Sequence, residues 1–257
     1  MRAIMRLMPF YVPVVMLVAF PPLAGGAAVQ ETCQLAAMGT VDVAAVRDGR
    51  TLTLADGREL RLKGIEVTTS ARAALQRLAA GKRLRLERLG EGRDRYNRLV
   101  AFAFAGNAPQ SVQQMLVAQG EARVSGRVGS HACADPLLAA ERNARASRRG
   151  LWADPNFAPL RAENLAGLRS QAGHFALVEG KVLSVHVSGS TIYLNFGRRW
   201  TRDFSVIILR RNRGIFAKAG IEPKRLEGQR IRVRGWIEQR RGPVIVAEAP
   251  EQIERMD

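Results

Sequence analysis

Two stretches of the chain gather residue types that could act on an anion. The first, VRDGRTLTLADGRELRLKGIEVTTS from Val46 to Ser70, has the layout of a hairpin that handles phosphate and holds a metal. One residue is out of keeping: Arg50 stands where such a site wants a carboxylate. The second, GRRWTRDFSVIILRRNR, sets Arg198, Arg199, Arg202, Arg210, Arg211 and Arg213 against Asp203 alone. Tyr193, Phe196, Trp200 and Trp236 interleave aromatic rings with that charge. Cations that follow a phosphate backbone and rings that stack on bases are how small barrels hold single strands, so Arg199 and Arg210 are candidate substrate contacts. The same pattern arises when Tyr193, Phe196 and Trp236 fill a barrel core and the arginines form a solvated face. The sequence leaves both readings open. His131, His174 and His186 have no partners at catalytic spacing.

The charge of the whole chain points the same way. Its 257 residues carry 40 Lys plus Arg against 23 Asp plus Glu, a formal +17. Such an excess favours a polyanionic partner: nucleic acid, anionic lipid or an anionic envelope polymer. Arginine richness is equally the mark of a GC-rich genome, so charge alone names no partner.

The elements that must position these residues fall into an ordered series. MRAIMRLMPFYVPVVMLVAFPPLAGGAA has Arg2 and Arg6, an apolar run from Leu7 to Phe20, and small residues up to Ala28. This is the layout of a signal peptide spanning 1–28, and the prolines within it argue against a stable spanning helix. The mature chain is therefore expected to be exported, periplasmic or secreted. Cys33 and Cys133 are the only cysteines, and in an oxidising compartment an isolated pair reads as one disulfide.

From Gly39 onward the chain alternates in period two through TVDVAAV, TLTLAD and RELRLKGIEV, with Asp56-Gly57 as a hairpin signal. A helix follows over SARAALQRLAAG, opened by Ser70 as N-cap and closed by Gly81. Strands KRLRLERL and RLVAFAFAG and two further helices complete the unit. Three strands, a helix and two strands is the order of a five-stranded OB-type barrel. Residues 154–173, rich in Pro, Ala and Gly, read as a linker with one helical turn. The pattern of three strands, a helix and two strands then repeats. The expected fold is mainly β with helices (α+β): two successive OB-like barrels, at 29–153 and 174–257.

The first barrel resembles the staphylococcal nuclease (thermonuclease) family from about Met38 to Trp152. The resemblance rests on DGRTLTL, RLKGIEV, DRYNRLVA, LVAQGEARV and LLAAERNARASRRGLW, in order and at the right intervals. The second barrel is similar to the OB-like domain appended to some exported bacterial members. The family implies calcium-assisted hydrolysis of phosphodiesters, with two arginines clamping phosphate, a glutamate activating water and carboxylates holding calcium.

Carried over by position, Arg61 and Arg98 are the clamp, and Arg95 and Tyr96 lie beside the terminal phosphate. Thr51 and Asp48 are kept. Arg50 takes the place of a metal-ligating aspartate, Glu66 stands at the second ligand position, and Val67 and Thr68 replace the Thr-Pro that follows. Thr69 falls at the general-base position. Gly126 and Val128 replace two tyrosines on which a base would pack. A guanidinium about 4 Å from a divalent ion repels it by several kcal/mol even at an effective dielectric near 20. Arg50 is instead placed to pair with Glu66, and a threonine cannot accept a proton at neutral pH.

The leading expectation is an exported, non-hydrolysing relative that binds an anionic polymer, nucleic acid foremost, with no resident cofactor. One alternative is a phosphodiesterase that uses Arg61, Arg98 and Glu66 in an altered way, with calcium entering only under that reading. The other is a non-catalytic envelope module for a protein or glycan.

Overall fold

The structure, a computed structural model, describes residues 32–256; the expected signal segment lies outside them. The first half is built from β1 (Ala36–Val46), β2 (Thr51–Leu54), β3 (Glu59–Leu62), β4 (Ile65–Val67), α1 (Ala71–Ala79), β5 (Arg83–Arg88), β6 (Leu99–Ala105), α2 (Val112–Ala118), β7 (Ala122–Val124) and α3 (His131–Ala146). Strands β1-β2-β3-β6-β5 close into a barrel. β1 achieves the closure by changing partner along its length, pairing β5 through Ala36–Asp42 and β2 through Val43–Val46. β3 and β6 run parallel. Leu52, Leu60, Leu84, Leu86 and Leu116 fill the interior.

RELRLKGIEV is one strand by its alternation, but it is two in the fold. Gly64 adopts φ +81° and turns the chain, so β3 stays in the barrel while β4 leaves it to pair with β7. Ser70 does not cap α1. Its backbone is already helical and its hydroxyl meets that of Thr68 at 2.7 Å, because three consecutive hydroxyl residues compete there. Ser111 and Ser130 do cap α2 and α3, each accepting from a backbone N–H. Cys33 and Cys133 form a disulfide that ties the chain before β1 to the first turn of α3.

The second half adds β8 (Leu160–Arg161), α4 (Leu165–Ser170), β9 (Phe175–Lys181), β10 (Ser184–Ser188), β11 (Thr191–Asn195), β12 (Ser205–Leu209), α5 (Arg213–Lys218), β13 (Arg230–Gln239), β14 (Pro243–Ala247) and β15 (Ile253–Met256). Its sheet repeats the connectivity of the first barrel. β12 and β14 run parallel as β3 and β6 do, and β13 pairs β14 on one side and β9 on the other. β9 and β10 together play the part of β1, interrupted at Val182 and Leu183. The Val182 N–H bonds toward β13, at Gln229, and the Leu183 N–H bonds to Asn195 of β11. The strand therefore breaks where it changes partner.

Two strands go beyond the expected five: β15 lines up along β13, and β8 runs parallel to β9. β8 and α4 both fall within residues 154–173, where a linker was expected. Two residues are too few to leave an alternating pattern. Among the described residues, no helix is long and apolar enough to cross a membrane.

The outer face of β13 packs on the first barrel. Arg234, fully buried, pairs with Glu141 of α3 at 2.8 Å and with Glu254 of β15, and donates to the Val124 carbonyl of β7 at 3.1 Å. Glu141 also accepts from the Val124 N–H at 2.8 Å. Burial alone would lower the pKa of Arg234, but Glu141 and Glu254 hold it above the ordinary value. Glu251 accepts from the Gly129 N–H at 2.7 Å, and Arg123 donates to the Phe175 carbonyl at 2.8 Å.

Removing one partner from a buried ion network strands the others, so Arg234→Ala should lower unfolding free energy by about 3–5 kcal/mol. Urea unfolding of the two proteins measures it; a loss under about 1 kcal/mol would mean water reaches the carboxylates. Reduction of the disulfide, which spans a sequence separation of 100, should cost up to ~4.7 kcal/mol on the chain-entropy model. A melting curve with and without reductant reads that loss directly.

Candidate functional site

The expected site residues of the first barrel converge on three loops and strands. Asp48 opens the turn between β1 and β2, and its carboxylate accepts the Arg50 N–H at 2.8 Å, which fixes that turn. Arg50 then points across β3 to the start of β4. Its guanidinium donates to the Glu66 carboxylate at 2.7 Å and to the Ile65 carbonyl at 3.2 Å. The expected Arg50–Glu66 pair is therefore present, half-buried on both sides. Thr51 is kept for another reason: it is buried in the wall of the barrel.

Arg61 lies opposite Thr51 on β3. It is half-buried, and its guanidinium makes no hydrogen bond or ion pair among the described residues. Burial, then the neighbouring Arg50 and Arg98 guanidiniums, push its pKa below the ordinary arginine range, with Glu66 and Asp48 opposing. Arg61 still carries its charge at any physiological pH. An anion held there would offset the repulsion among the three cations.

Arg98 is more constrained. The loop 94–98 is organised by Asp94, whose carboxylate accepts the Tyr96 and Arg98 N–H groups at 2.9 and 3.1 Å and the Arg98 Nε at 2.8 Å. Although partial burial opposes it, these bonds hold the Asp94 pKa below its usual value. Asn97 takes the left-handed conformation at φ +61°, which asparagine tolerates better than most residues. Tyr96 projects from this loop, 63 % exposed, with the Arg95 and Arg98 guanidiniums over its ring at 4.8 and 5.1 Å. Half of the expected clamp is thus paired internally and half is free.

A calcium ion needs six or more oxygen ligands. Around this turn the Asp48 carboxylate is engaged by backbone, Glu66 is engaged by Arg50, and a guanidinium stands between them. These residues do not fit the metal that the family resemblance implies. Thr69 is exposed in the turn before α1. A carboxylate that sequence spacing could not have indicated, Glu121, comes near it but reaches only Ser70, at 3.4 Å.

The positions of the two missing tyrosines have a structural explanation. Val128 is fully buried in the first core. Gly126 lies under Gln252 of the second domain, and a Cβ there would come within 2.5 Å of the Gln252 side chain. Docking of the second barrel thus occupies the space a tyrosine would use. It also opens two cavities of about 240 and 290 Å³ beside Glu66, both lined by Phe175 and Trp236. Trp236 is 54 % exposed and stands edge-on to Phe175. His174 lines the smaller cavity.

In the second barrel the expected residues disperse. Phe196 is core and Tyr193 is half-buried, while Trp200 is 65 % exposed. Arg210 donates to the Gly189 carbonyl at 3.0 Å, and the Arg199 backbone is bound to Asp203.

Residues 58–154 match the family model described as staphylococcal nuclease homologue. The match begins after β2, so the turn that holds Arg50 lies before it. A comparison with curated proteins found no match.

The geometry predicts that the folded protein is indifferent to calcium. A ligand that binds only the native state at a hundredfold excess over its Kd would add about 2.7 kcal/mol of stability. Melting temperatures in chelator and in millimolar calcium should coincide. A rise of several degrees would show that Arg50 yields the turn to the ion.

Proposed function

Because residues 58–154 form a staphylococcal-nuclease-like domain, we propose that the chain is an exported relative of that family which binds a polyanion, single-stranded nucleic acid foremost, without calcium-dependent hydrolysis. The observation that carries this reading is the Arg50–Glu66 ion pair beside an unpaired Arg61. The pair removes the metal's ligands while leaving cationic groups that would face a phosphate. Arg61 contacts the phosphate, Arg98 contributes the side of its guanidinium that Asp94 does not use, and Tyr96 and Arg95 border them.

Three further features support the reading. The net charge of +17 raises the local concentration of any polyanion. No carboxylate stands at Thr69, and Glu66, the nearest acid along the chain, is held by a cation. The disulfide between Cys33 and Cys133 fits an oxidising compartment, in keeping with export.

The test is binding of a labelled single strand as a function of salt. Each phosphate contact to a single strand contributes a slope of roughly 0.7 in log K against log salt. Arg61→Ala should weaken binding and flatten the slope by about that amount. An affinity that does not change between low and moderate salt would sink the polyanion reading. Calcium-stimulated cleavage by the unmodified protein, abolished in Arg61→Ala, would falsify the loss of hydrolysis.

A further inference from the structure

The second barrel carries a groove of about 740 Å³ on the outer face of its sheet, in the size range of ligand sites. It is remote in sequence from Arg61, and of its lining residues only Arg240 also borders a cavity beside Glu66. The registers of β10, β11, β12 and β14 set two rows of side chains across its floor. One row is polar: Ser184, Asn195 and Ser205 lie side by side. The Asn195 amide donates to the Ser184 hydroxyl at 3.2 Å, and the Ser205 hydroxyl donates to the Asn195 amide oxygen at 3.1 Å. This chain leaves one Asn195 N–H and the Ser184 O–H for a ligand. The next row, His186, Tyr193 and Ile207, is flatter and more apolar.

Two loops wall the groove. The β11–β12 loop is pinned by Asp203, whose carboxylate accepts the Arg199 N–H at 2.8 Å, and it presents Trp200 to solvent. The β13–β14 loop meets it at Gly242, where a Cβ would come within 2.7 Å of the Asp203 carbonyl. That close approach brings Arg240 and Arg241 to the mouth of the groove beside Trp200. Arg240 is shared with Glu238 at 3.0 Å. Arg241 is exposed, with no partner among the described residues. No carboxylate lines the groove.

The geometry points to a second site, on the second barrel, for the bases of a single-stranded nucleic acid. One base stacks on Trp200, a neighbour lies over Tyr193, the Asn195–Ser184 row meets base or sugar edges, and Arg241 and Arg240 hold the phosphates. An exposed ring beside an unpaired cation, Trp200 beside Arg241, in a groove that no acid lines, suits a ligand that alternates flat rings with negative charge. This inference rests on the polyanion reading above and adds to it a preference for polymers that carry bases.

The experiment measures binding of a labelled oligothymidylate of about twelve nucleotides, within the span of such barrels, against inorganic polyphosphate and a sulfated polysaccharide as competitors. Trp200→Ala should lower oligothymidylate affinity roughly tenfold more than polyphosphate affinity, as expected for one lost stack. Trp200→Phe should restore most of it, and Arg241→Ala should weaken the oligothymidylate severalfold. Equal effects of Trp200→Ala on both anions, or none on either, would overturn the base site. Stronger Trp200-dependent binding of the polysaccharide would assign the groove to a glycan and overturn it too. Arg61→Ala separates the two proposals: if it changes nothing while Trp200→Ala does, the first-barrel reading fails and the groove stands.

Discussion

An arginine cannot shed its charge in a protein interior, so a buried Arg234 obliges the fold to bring carboxylates to it. One comes from α3 of the first barrel, at Glu141, and the other from β15, at Glu254. Networks of this kind are poor sources of net stability compared with well-packed apolar side chains. Their effect is geometric. A slip of β13 along α3 would leave a guanidinium in the interior with no counter-charge, and the same slip would break its bond to the Val124 carbonyl. One docking of the two barrels makes all of these contacts at once.

That docking shapes the surface where the chemistry is sought. It lays Gln252 over Gly126 and brings Phe175 and Trp236 alongside Glu66. The glycine at 126 is thus a requirement of the interface before it is anything else. The turn between β1 and β2 follows the same logic. Once Arg50 is present, Glu66 becomes its counter-ion, and the pair ties the β1–β2 turn to β4. Of the Arg50, Arg61 and Arg98 guanidiniums, Arg61 is then the one with no carboxylate paired to it among the described residues.

Much of this was legible in the chain. Period-two runs with Asp-Gly and Gly punctuation gave the order of both barrels, because a half-buried strand must alternate. The disulfide followed from a lone pair of cysteines, and the Arg50–Glu66 pair from the two ligand positions that the family resemblance assigns to those residues. What covers the outer face of a strand was not legible. Arg232 and Arg234 alternate with Ile231 and Val233 as a solvated face does, yet Arg234 lies beneath the first barrel and Arg232 is held by Glu179 and Glu254. Trp236 shares their phase, and counting by twos from Val233 would have placed it outside the core. Glu121 meets Ser70 only through tertiary folding, and Arg240 and Arg241 lie nearly thirty residues beyond the arginine cluster that drew attention.

The disulfide has a topological consequence. Together with the backbone from Cys33 to Cys133 it makes a covalent ring that contains every strand of the first barrel, while most of α3 and the whole second barrel hang from it as a tail. A protease that cuts the exposed loop around Tyr96 opens the ring but releases no fragment. With one possible internal pairing, oxidation also has no wrong isomer in which to become trapped. And since α3 holds the ring's closure at Cys133 in its first turn and carries Glu141 a little over two turns on, the covalent closure and the seat of the second barrel lie on a single rigid rod.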